Sequence, residues 1–67
     1  MFTLDFYSRD WPALTATFDG DSFDMAKEYC QKLMSTALGQ AFYACSIHNE
    51  AEGATIYRLP SGECVVE

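Results

Sequence analysis

The period of the hydrophobic residues switches once from two to about 3.6 and then back again, and this switch constrains the fold more than any other feature. From Phe2 to Tyr7 the side chains alternate, with Phe2, Leu4 and Phe6 on one face and Thr3, Asp5 and Tyr7 on the other. Leu14, Ala16 and Phe18 repeat the alternation against Thr15 and Thr17. Period two with β-branched and aromatic residues predicts two half-buried strands. Between them Pro12 holds Trp11 extended and cannot donate to a ladder, so the two runs read as an antiparallel hairpin. At Phe23 the steps become three and four, through Ala26, Cys30, Leu33 and Ala37, which is one stripe of an amphipathic helix.

That helix is predicted over Ser22 to Leu38. Asp21 or Ser22 supplies an N-cap, Asp24 places a carboxylate in the first turn, and Gly39 stands where a C-terminal cap is expected. Glu28 and Lys32 stand in the favourable i, i+4 order on the polar side. Alternation then returns. Ala41 to Ile47 reads as a central strand, with Tyr43, Cys45 and Ile47 on one face and Phe42, Ala44 and Ser46 on the other. Thr55–Leu59 and Cys64–Val66 are further strands, separated by Pro60-Ser61-Gly62-Glu63, whose early Pro and late Gly suit a short hairpin loop.

One helix covers one face of a sheet, not two. The expected fold is therefore a single α+β domain spanning residues 1–67. It is an antiparallel sheet of four or five strands with one helix packed on one face, in the order ββαβββ. Phe2, Leu4, Phe6, Leu14, Phe18, the helix stripe and alternate residues of the last three strands would form the core. Tyr7, Trp11 and either Tyr43 or Phe42 would give the uncovered face an apolar patch.

Composition narrows the function. At 67 residues the chain buries only about 60% of its unfolded surface. Ten acidic against four basic side chains give a net charge of −6, which argues against direct binding to nucleic acid or to an anionic membrane. The start of the chain lacks a basic segment followed by an apolar run, and the longest stretch free of Asp, Glu, Lys and Arg, Leu33–Asn49, is interrupted by polar residues. The protein is expected to be soluble and cytoplasmic. Three cysteines, an odd number without C-x-x-C, read as reduced and mostly buried thiols, with a disulfide or reactive thiol as the alternative.

Catalytic and metal constellations fit poorly. Counted from Asp19, a calcium loop would place Phe23, Asp24 and Cys30 at positions that need an oxygen ligand, Gly and Glu. His48, the sole histidine, reads as a solvent-facing loop residue. Cys45, three residues earlier along a strand, would point to the opposite face. The four glycines stand singly at turns, so no phosphate loop is formed. No enzymatic activity and no cofactor are expected.

Charge placement remains. Asp5, Asp10, Asp19, Asp21, Asp24 and Glu28 crowd the first 28 residues, and Glu50 and Glu52 lie in the loop before the fourth expected strand. Spaced carboxylates on a rigid scaffold can imitate duplex phosphates, one charge per about 1.7 Å of axis. The same charges also keep a small apolar-rich domain in solution, and −6 is ordinary for that purpose. In size, acidity and element order the whole chain resembles phage-encoded anti-CRISPR inhibitors of the acidic DNA-mimic type, a class without a diagnostic motif. The resemblance implies binding to a basic DNA-binding protein or a Cascade-type CRISPR complex, blocking PAM or target DNA by competition. It also implies host-cell cytoplasm as the location.

Candidate partner-binding residues are Asp10, Asp19, Asp21, Asp24, Glu28, Glu50 and Glu52, with Trp11 or Tyr7 as an aromatic anchor. The expected state is a monomer or weak homodimer. The alternative is a structural or adaptor module that dimerises or binds a protein through its uncovered sheet face.

Overall fold

The computed structural model describes residues 1–20 and 22–67. Strands β1 (Phe2–Ser8) and β2 (Leu14–Phe18) lead into helix α1 (Phe23–Ser35). A short 3-10 turn, Leu38–Ala41, then feeds β3 (Phe42–His48), β4 (Gly53–Arg58) and β5 (Cys64–Val66). The five strands form one antiparallel sheet in the order β2-β1-β3-β4-β5, with α1 across one face. This is the α+β architecture that the change of period requires. No helix among the described residues is long and apolar enough to cross a membrane.

The core lies between α1 and the sheet. Phe2, Leu4 and Phe6 of β1 meet Ala26, Cys30 and Met34 of α1, together with Cys45, Ile47 and Ile56 from β3 and β4. Full burial of each large side chain here contributes about 1.5–3 kcal/mol. Phe23 and Leu33 flank the buried helix line half-covered, and Phe23 stacks on Phe2 with ring centroids 5.5 Å apart.

Four expectations are corrected. The helix ends at Ser35 rather than Leu38, because Ser35 and Thr36 turn their hydroxyls onto the helix's own carbonyls. Ser35 Oγ donates to Gln31 O (2.8 Å) and Thr36 Oγ1 to Leu33 O (2.6 Å), while the Thr36 backbone becomes extended. Ala37, past that end, is exposed. Gly39 is not a left-handed cap; it lies buried where the chain crosses the helix end. A Cβ there would fall on the Leu33 carbonyl oxygen and press on Met34 Cα (2.7 Å).

Leu14 is 53% exposed, because β2 is an edge strand and α1 lies over β3, β4 and β5. In β3 the alternation slips at a bulge opposite Tyr7 and Ser8, so Phe42 rather than Tyr43 joins the core. Phe42 packs on Phe6 with centroids 5.2 Å apart, and Tyr43 turns to the uncovered face. The hairpin loop behaves as its residues suggest. Gly62 N donates to Leu59 O (2.8 Å), and Gly62 adopts φ 95°, a conformation glycine takes without steric cost.

Candidate functional site

Sheet topology decides which candidate residues meet. Phe2 pairs with Phe18, Thr3 with His48, and His48 with Gly53. The start of β1, the end of β2, the start of α1 and the β3–β4 turn therefore share one end of the sheet. Asp19 and Asp24 come to this end from one part of the sequence, Glu50 and Glu52 from another, and all four are exposed. Asn49 shapes the second group. Its Oδ1 accepts from Ala51 N (2.8 Å) and Glu52 N (2.7 Å), and its own N–H donates to Glu52 O (2.9 Å), so the two glutamates project from a tied turn. Asp21 lies outside the described residues.

Ser22 caps the helix, its Oγ accepting from Met25 N at 3.2 Å. Asp24 pairs with Lys27 (3.2 Å) and Glu28 with Lys32 (3.1 Å), so these two candidates carry their own counter-charges along the helix. Exposed pairs of this kind are worth about 0–1 kcal/mol and release easily to a stronger partner.

Asp10, Trp11 and Tyr7 are at the opposite end, about 20 Å away along a seven-residue strand. Trp11 is 60% exposed in the β1–β2 loop, where its backbone N–H donates to Ser8 Oγ (3.2 Å). Tyr7 pairs across the sheet with Ala44, Ala44 with Tyr57, and Tyr57 with Val65. Tyr43 joins this row, 6.4 Å from Tyr7. The uncovered face thus ends in three tyrosines, with Arg9 beside Tyr43 and Tyr57. Asp19, Asp24, Glu50 and Glu52 thus form a surface separate from the aromatic anchors, and Asp10 lies with the anchors.

Between these ends the uncovered face is polar. Thr15, Asp5, Ser46 and Thr55 form one cross-strand row. Thr15 Oγ1 donates to Asp5 Oδ1 (2.8 Å), and His48 Nε2 lies 3.1 Å from Asp5 Oδ2. The Thr15 hydroxyl first, and the His48 imidazole second, hold the Asp5 carboxyl below its ordinary range. His48 is therefore not a loop residue. It ends β3 and tethers Asp5 diagonally across the strand pair. Cys45, as its spacing requires, points the other way into the core.

Cys30 and Cys45 are both fully buried and face each other across the helix–sheet interface. The neighbouring Cys30 thiol, then burial, push the Cys45 thiol far up, which suppresses thiolate chemistry there. Cys64 is free and half-buried. Among the described residues no group of three or more His, Cys, Asp or Glu is placed to hold a metal ion.

The residue that sequence reasoning missed is Arg58. It sits on the covered face at the end of β4, and its guanidinium donates to four backbone carbonyls. Nε reaches Phe42 O (3.0 Å), Nη2 reaches Met34 O and Gly39 O (2.8 Å), and Nη1 approaches Gly62 O (3.5 Å). One side chain thus closes the C-terminus of α1, the 3-10 turn, the start of β3 and the last hairpin. The available signal was an arginine at an inward position of a strand, a place that demands polar partners. Comparison with protein-family models, with curated proteins and with solved structures finds no match for this chain.

Proposed function

We propose that this protein is a non-enzymatic inhibitor whose acidic end occupies a basic nucleic-acid-recognition surface, standing in for DNA. One observation carries the reading: residues far apart in sequence, Asp19 and Asp24 with Glu50 and Glu52, share one end of the sheet, where Lys27 pairs with Asp24, while Arg9 and Arg58 lie at the other with Asp10. A molecule polarised in this way is steered acidic end first toward a cationic groove. The partner class is a Cascade-type CRISPR complex or another basic DNA-binding protein, in the cytoplasm of the cell that holds it. Competition for the PAM or target duplex is the mode of inhibition, and no catalytic step is involved.

The test is direct. A purified Cascade-type complex is titrated with the protein and then given a PAM-containing duplex. DNA binding should fall as inhibitor rises, and the effect should fade with salt because exposed charges are screened within about 8–10 Å. Asp19→Lys, Glu50→Lys and Glu52→Lys together should abolish inhibition, whereas Asp10→Lys at the far end should not. Full inhibition by the triple variant, or none by the wild type at excess, would overturn the reading. A second reading is favoured by the tyrosine row: an adaptor that binds a protein through Tyr7, Tyr43 and Tyr57, residue types enriched at binding hot spots. It predicts that Tyr57→Lys, and not the acidic triple variant, removes the interaction.

A further inference from the structure

We propose that β2 is a self-pairing edge, joining the β2 of a second copy in antiparallel fashion about a two-fold axis at Ala16. The two five-stranded sheets would then run on as one. In the chain itself β2 has a ladder neighbour on one side, β1, and stands at the end of the strand order. An edge strand presents unpaired N–H and C=O groups, and proteins that stay monomeric guard such edges with charges, prolines or bulges. Leu14–Phe18 contains none of the three. Pro12 comes before the strand and limits how far a ladder can extend. The opposite edge, β5, is three residues long and is followed by Glu67.

Exposure points to the same strand. Leu14, Thr15, Ala16 and Thr17 are all exposed, although Leu14 and Ala16 belong to the face that α1 covers elsewhere. The helix reaches β2 through Tyr29, which packs on Phe18 at 5.3 Å. Beside it a shallow groove runs between strand and helix, lined by Phe18, Met25 and Tyr29 and by the ion-paired Glu28 and Lys32.

Charge and side-chain complementarity choose a second copy as the occupant. Two molecules of charge −6 repel least where their own charges are sparse, and Trp11–Phe18 is an uncharged run on this acidic chain. The two-fold register that pairs all five residues sets Leu14 against Phe18 of the second copy, Thr15 against Thr17, and Ala16 against Ala16. Apolar residues then meet on the helix side and threonines on the other, both favourable cross-strand pairs. The acidic ends point in opposite directions along the joined sheet. The proposal does not depend on what those ends bind.

Sedimentation velocity between about 10 µM and 1 mM tests it, because a five-residue edge contact is at the low end of interface size and forms a weak dimer. The wild type should shift from monomer toward dimer with concentration. Ala16→Lys and Ala16→Glu, which place like charges together on the axis, should each stay monomeric across the range. An equimolar mixture of the two should associate at least tenfold more tightly than either alone. Hydrogen exchange gives an independent readout, since outward-facing β2 amides should gain protection as wild-type concentration rises. A wild type that stays monomeric at 1 mM, an Ala16→Lys variant that still dimerises, or a mixture that fails to associate would each overturn the proposal.

Discussion

Replacing Arg58 by alanine removes the donor shared by the carbonyls of Met34, Gly39 and Phe42, with Gly62 a longer fourth partner. Met34 O is one of the last four carbonyls of α1, which have no intrahelical donor, and a positive charge there also opposes the helix dipole. A hydrogen bond from a charged donor is worth about 1.5–3 kcal/mol net, and orphaned half-buried acceptors lose that much again unless water reaches them. The bonds share one guanidinium and are not additive, so about 3–5 kcal/mol in total is the expected loss. A domain of this length holds only about 3–10 kcal/mol of stability altogether. Arg58→Ala should therefore be largely unfolded or lie near its transition at 25 °C. Arg58→Lys should recover less than half of the loss, because a single ammonium cannot fork to three carbonyls from different elements. Urea titration followed by circular dichroism, with the Tyr and Trp signal as a second probe, measures both. A loss below about 1 kcal/mol for Arg58→Ala would refute the view that this side chain ties the helix end to the sheet.

Gly39→Ala should cost at least about 3 kcal/mol, since the new Cβ meets backbone rather than a movable side chain, whereas Gly62→Ala, strained but in open space, should cost about 1 kcal/mol in the same titration. The Asp5 carboxyl is held below its unfolded value near 3.8, so its contribution is present above that value and is lost as pH falls through the lower folded value. Urea midpoints between pH 7 and pH 2 should drop less steeply for Asp5→Asn than for wild type, and parallel curves would argue against the tether. Native-state thiol labelling should modify Cys64 first, with Cys30 and Cys45 reacting only at the rate of global opening. Rapid labelling of all three would revive a redox role for the chain.

Local pattern alone established much of this protein. Alternation at Phe2, Leu4 and Phe6, the helical line through Ala26 and Cys30, and the Pro-to-Gly spacing at 60–62 are properties of neighbouring residues. They specified the elements, their order and a one-sided sheet, because backbone period and turn chemistry act over a few residues. The tertiary structure decided whatever depends on partners distant in sequence. Leu14 carries the same alternation as Leu4, yet it is exposed because β2 became an edge that the helix does not cover. Tyr43 and Phe42 exchanged faces at a bulge set by pairing with β1. Arg58 found its carbonyl partners up to 24 residues away in sequence. The same holds for the acidic residues: their number was plain in the sequence, but only the pairing of Phe2 with Phe18, of Thr3 with His48 and of His48 with Gly53 brought Asp19 and Asp24 to the end that carries Glu50 and Glu52. Burial and proximity follow from which strands become neighbours, and that choice is made by the whole chain at once.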